Sequence, residues 1–116
     1  MTDDIQESVD YLLETAAPAA QARANRIVLE HGLKRIKALA MQKARDEHER
    51  LTNAKAPYAV TLQERDAYAS EEYGIALEGL REAIFLDEGF RARRDAHAAK
   101  IDAWRTQQAT MRSVKL

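Results

Sequence analysis

The chain has 116 residues, 46% hydrophobic and 32% charged, with a formal net charge of −1. Four Gly, two Pro and no Cys argue against a turn-rich β fold and exclude both a disulfide framework and a thiolate site, while the length suits a single domain over 1–116. No apolar run approaches the roughly 20 residues of a membrane span, and the acidic start lacks a signal peptide's basic region, so a cytoplasmic protein without a membrane partner is expected.

Residues 3–15 place Ile5, Val9, Leu12 and Leu13 at helical spacing behind Asp3 and Asp4, which favour a helix N-terminus. A short amphipathic helix is expected there. Pro18 suits the first turn of a second helix, where its missing N–H costs nothing. That first long arm covers residues 17–50, with Leu29, Leu33, Ile36, Ala40 and Leu51 as its apolar stripe and Gly32 marking a close approach or a bend. Residues 52–60 form a loop, since Asn53 and Pro57 interrupt the pattern. Thr61 and Glu64 have capping-box spacing and open a short helix over 61–69. Ser70, followed by Glu71 and Glu72, is the next start signal. A kink is expected there before a second long arm over 70–113. The fold class that follows is all-α: an antiparallel, coiled-coil-like hairpin of long helices with a short N-terminal helix, forming oligomers.

Charge is segregated along the chain. Residues 1–15 hold five acids and no base, 16–60 nine Lys/Arg against four acids, 61–90 two against eight, and 91–116 seven against two. An antiparallel hairpin sets the basic half of the first arm (Lys34, Arg35, Lys37, Lys43, Arg45) beside the acidic start of the second (Glu71, Glu72, Glu78, Glu82). Each exposed pair is worth only about 0–1 kcal/mol, but the pattern disfavours other registers. At the open end like charges meet, and the N-terminal acids are their nearest counterweight.

The second arm carries two apolar series. Phe90, His97, Ile101, Trp104 and Met111 share one face; Tyr73, Leu77, Leu80 and Ile84 share another, rotated by about 100°. A separate small-residue series, Gly89, Ala92, Ala96, Ala99, Ala103, Thr106 and Thr110, alternates steps of three and four. Small residues at heptad spacing allow close helix approach. Ala17, Ala20 and Ala24 are the expected partners of this series. The bulky seam at Phe90, Ile101 and Trp104 is then left for the N-terminal helix or for a second copy, so a homo-oligomer, a dimer first of all, is expected. The alternative is that the alanines form a solvated helix face.

Catalytic signatures are missing. Thr52 stands where a zincin needs its second His after His48-Glu49, and neither His31 nor His97 follows a Glu by three residues. The glycines are isolated, so no phosphate loop forms. Asp46 and Glu49 have the i, i+3 spacing of an all-helical magnesium-dependent nucleotide pyrophosphatase, but the second arm offers no matching pair. No enzyme activity, metal or cofactor is therefore expected. Arg23, Arg26, Arg91, Arg93, Arg94, Lys100 and Arg105 form a basic set around Trp104 that could track phosphates while the indole stacks a base. The opposing reading makes them snorkelling flanks of a buried seam.

The run from Gln63 through Ala69, Glu72-Tyr73, Leu77 through Ala83, and Ile101 through Arg105 resembles small helical proteins of tailed bacteriophages and prophages, often encoded near recombination or early replication genes. The likeness covers roughly residues 60–112. It implies a non-enzymatic, phage-derived accessory protein of DNA recombination or replication, acting on a phage recombination protein, on DNA, or on both. The rival reading is an oligomeric assembly or scaffold-type protein that contacts only protein.

Overall fold

The protein is described by a computed structural model covering residues 3–53 and 56–115. Residues 54 and 55 of the expected loop lie outside the described residues. Three helices account for nearly all of the rest: α1 (Asp3–Thr52), α2 (Val60–Tyr68) and α3 (Glu71–Lys115). No strand occurs among the described residues, and the all-α hairpin of two long helices is the architecture observed.

No break separates residues 3–15 from 17–50. Pro18 lies inside α1, so the short N-terminal helix is the first four turns of the long arm. An internal proline costs about 3 kcal/mol relative to alanine. Here Ala16, Ala17, Ala19 and Ala20 surround it with the strongest helix formers, and α3 binds the turn just before it, as described below.

The far end of α1 closes at Asn53, whose φ of 53° is the left-handed conformation asparagine tolerates after a helix. The capping box expected from Thr61 and Glu64 does not form. Helix α2 begins one residue earlier, with Ala59 at the N-cap and no side-chain cap. Its anchor is Gln63, a buried amide that donates from Nε2 to the Tyr58 carbonyl (2.8 Å) and accepts from Arg45 Nη1 of α1 (2.9 Å). Ser70 ends α2 and starts α3: its hydroxyl donates to the Ala67 carbonyl (2.7 Å) and accepts from the Tyr73 N–H (3.2 Å). The second start signal thus separates two helices.

A clasp holds the loop. His48 stacks on Tyr58 with ring centroids 4.4 Å apart and donates from Nε2 to the Ala56 carbonyl (3.0 Å), while the Tyr58 hydroxyl donates to the Asp66 carboxylate. That hydroxyl is the main cause that holds the Asp66 carboxyl below its usual range, with Arg65 and His48 adding to it. The contribution is present above the ordinary carboxylate pKa and is lost as pH falls through the depressed value. Tyr58→Phe is expected to move the Asp66 titration upward toward its ordinary position in an NMR titration; an unmoved midpoint would show that the bond is not made in solution.

Contacts divide the chain into two compact units, residues 1–23 with 85–116, and residues 24–84. In the first, α1 and α3 run antiparallel: Lys100 Nζ meets Asp4 Oδ1 at 3.0 Å, Ser8 Oγ and His97 Nδ1 are hydrogen-bonded at 2.8 Å, and Arg94 reaches Leu12 and Thr15. Ser8 is fully buried and Ile5 buried, with the Tyr11 ring 4.4 Å from that of His97. The centre of this unit is therefore polar as well as apolar. In the second unit the helices are tied by Lys43 to Glu72 (3.2 Å), one pair between the basic and acidic blocks, and by Lys37 over the Tyr68 ring (4.8 Å). Ala67 and Leu80 are its buried apolar residues.

Helix α3 carries one continuous seam. Tyr73, Ala76, Leu80, Ala83, Asp87, Phe90, Arg94, His97, Ile101, Trp104 and Gln108 alternate steps of three and four, and all are buried or half-buried. Of the two faces that periodicity separates by about 100°, Tyr73 and Leu80 lie at one end of this seam and Phe90, His97, Ile101 and Trp104 toward the other, while Leu77, Ile84 and Met111 lie off it. A straight helix drifts by about 20° per heptad, so the five heptads from Tyr73 to Gln108 accumulate that rotation. Gly74 lies off the seam with open space before it. Gly74→Ala is expected to raise the unfolding free energy by about 1 kcal/mol, measurable as a higher urea midpoint.

Candidate functional site

The basic set is dispersed by its own contacts. Arg26 belongs to the unit of residues 24–84 and pairs with Glu30 at 2.9 Å. Arg91 stands 3.7 Å from Glu88, Arg105 4.0 Å from Asp102, and Lys100 is held by Asp4. Arg93 donates to the Tyr11 hydroxyl (3.0 Å) and lies over the Phe90 ring (5.4 Å). Arg94 is half-buried and donates from Nη1 to the Leu12 carbonyl (2.7 Å) and to Thr15 Oγ1 (2.6 Å). Arg23 and Arg91 do line one shallow groove of about 310 Å³ together with Phe90 and Arg94, but Asp87 and Asp95 line it too. Its charge is mixed, which suits phosphate poorly.

The bulky seam lies on the face that meets the N-terminal segment, one of its two expected partners, whereas the alanine series does not pack against the first arm. Phe90, Ile101 and Trp104 are half-buried on the face of α3 that carries His97 and Arg94, whose own partners are Ser8, Leu12 and Thr15 of α1. The series Ala92, Ala96, Ala99 and Ala103 is exposed throughout, as are Ala17, Ala20 and Ala24, so it makes no close helix contact. A seam packs where large side chains gain the most burial, about 25 cal/mol per Å²; alanine gains little and is retained in the helix by propensity alone.

Of the carboxylates with magnesium-like spacing, Asp46 is exposed and accepts from Gln42 Nε2 (2.8 Å), and Glu49 is exposed beside it on the helix surface. Among the described residues no group of three or more His, Asp or Glu is placed to hold a metal ion, and no described helix is long and apolar enough to cross a membrane.

The feature that sequence reasoning missed lies in the unit of residues 24–84. Its inward face on α1 runs through Glu30, Leu33, Lys37, Met41, Ala44, His48 and Thr52, all half-buried. The stripe expected from Leu29, Leu33, Ile36, Ala40 and Leu51 divides: Leu33 lies on this line, while Ile36 and Ala40 lie on a flank beside it. There Ile36, Leu39, Ala40 and Ala44 line a groove of about 470 Å³, closed at its polar end by Lys43, Glu47, Asp66, Ser70 and Glu72. The carboxyl of Glu72 is held below its usual range by its own backbone N–H and then by Lys43. Beyond the groove the same flanks continue: Gly32 precedes Lys43 by eleven residues on α1, and Ile75 and Gly79 follow Glu72 by three and seven on α3. Val28 is 68% exposed, Leu39 59% and Ile75 66%. The available signal was the spacing of Glu30, Leu33, Lys37, Met41, Ala44, His48 and Thr52, which repeats steps of three, four and four.

No protein-family model, curated protein or solved structure matches the chain.

Proposed function

We propose that the protein is a non-enzymatic helical interaction module that acts by binding protein through the exposed apolar flanks of its hairpin. The observation that carries this reading is the inversion between its inside and its outside. Among the described residues the buried hydrophobic set is Ile5, Ala22, Ala67 and Leu80, whereas Val28, Leu39, Ile75 and Phe85 are each more than half exposed. Exposed apolar surface on that scale marks contact with another protein. The likeness of residues 60–112 to small phage helical proteins supplies the expected setting, accessory work in phage DNA recombination or replication, and the protein-only assembly reading fits the flanks better than a DNA surface does.

The test is a pair of measurements. Wild-type protein is expected to give no salt-dependent mobility shift with single- or double-stranded DNA. A low-salt shift abolished by Arg91→Ala with Arg105→Ala, two exposed cations each paired to an acid three residues before it, would move the reading to nucleic acid. Co-purification from prophage-induced cells is expected to recover a protein partner in an amount reduced by Leu39→Glu.

A further inference from the structure

We infer that the flank formed by Gly32, Ile36 and Leu39 of α1 with Ile75 and Gly79 of α3 is the interface with a second copy of this chain, which closes the residue 24–84 unit into a four-helix bundle. This deepens the protein-binding reading by naming the partner, and rests on it only in treating the exposed flank as functional.

Shape and charge support the second copy. On the flank Leu39 is 59% and Ile75 66% exposed, apolar surface that a partner would cover. The flank is also complementary to itself. An added Cβ at Gly32 or Gly79 meets nothing within 4 Å, so both glycines are open hollows. A two-fold axis parallel to the helices lays α1 of one copy over α3 of the other. Ile36 then enters the hollow at Gly79. The same rotation sets Lys43 of each copy over Glu72 of the other, so the ion pair within each chain at 3.2 Å becomes a ring of four alternating charges. A foreign helix of one sign would leave half of that ring repelled.

The glycines provide a test that does not perturb the monomer's fold. Full-length Gly79→Leu has open space for its side chain and gains helix propensity, so its helicity by circular dichroism is expected to be retained. In sedimentation equilibrium the wild type is expected to be a dimer at micromolar concentration, and Gly79→Leu to dissociate with a constant raised at least about tenfold. Gly74→Leu, equally unobstructed but on the opposite flank, is expected to leave the dimer intact. An equal mixture of Lys43→Glu and Glu72→Lys chains is expected to pair with each other in preference to themselves. A wild type that is monomeric at high micromolar concentration overturns the second copy, and so do Gly74→Leu and Gly79→Leu variants that dissociate alike. Those outcomes leave the wider protein-binding reading to the co-purification, while a DNA shift overturns that reading without touching the dimer.

Discussion

Leu80→Ala is expected to lower the free energy of unfolding by about 3 kcal/mol, the middle of the range for a buried leucine that leaves a partly collapsed cavity. Leu80 is 8% exposed and is, with Ile5, one of two large aliphatic side chains in the buried set among the described residues; the other two members are alanines, with little area to lose. Against a total stability of about 5–15 kcal/mol, that single cavity removes a large fraction. Leu77 provides the contrast. It shares the face that simple periodicity assigns with Leu80, but it is 47% exposed because the seam steps from Tyr73 to Ala76 and then to Leu80. Leu77→Ala is expected to cost under about 1 kcal/mol. Urea denaturation of the two variants at one protein concentration measures the register directly, and equal losses would show that the seam does not step through Ala76.

The hairpin was legible because its signals are local or charge-based. Asp3 and Asp4 do lie in the first turn of α1, Asn53 takes the left-handed conformation that ends it, and Lys43 meets Glu72 across the two arms. These are decided by one helix end or by opposite charges brought together, and the pattern along the chain contains both. The faces were less legible. A rotation of 100° between two apolar sets looks like two surfaces unless the drift of a 3.6-residue helix against a heptad seam is followed over its whole length. Polar seam residues concealed the line further: Ser8, Thr15, Arg94 and His97 face inward because they bond one another or the backbone, and nothing in a hydrophobicity pattern marks a buried serine. The alanine series erred the other way. Its spacing is regular, yet helix propensity alone accounts for it, and spacing carries no information about whether another helix is there.

The same polar seam explains why the basic residues divide as they do. Arg91 and Arg105 are exposed and each is paired to an acid on its own helix, so their charge stays in water. Arg94 is different because its seam position points the guanidinium at backbone. Substituting it in a DNA-binding experiment would confound loss of fold with loss of a contact, and the choice of Arg91 and Arg105 for that experiment follows from this distinction.

Arg94 and Pro18 are expected to be energetically coupled. Proline has no N–H, so the Glu14 carbonyl loses the donor it would have four residues on, and α1 is weakest at the turn that contains Leu12 and Thr15. Arg94 of α3 binds that turn twice, at the Leu12 carbonyl and at Thr15 Oγ1, and Thr15 Oγ1 in turn donates to the Tyr11 carbonyl at 2.6 Å. Removing the guanidinium takes away two charge-assisted hydrogen bonds at a half-buried site, so Arg94→Ala is expected to cost about 2–3 kcal/mol. Arg94→Lys should recover part of it, since an ammonium can donate to both oxygens but lacks the fixed planar geometry. Pro18→Ala is expected to stabilise α1 by up to about 3 kcal/mol. With the Glu14 bond restored, the helix no longer depends on α3 to hold this turn, and the cost of Arg94→Ala in the Pro18→Ala background should fall by at least about 0.5 kcal/mol. A double-mutant cycle by urea denaturation, run at a fixed protein concentration, reads that difference. Strict additivity would mean that Arg94 fastens α3 to α1 without compensating for the proline.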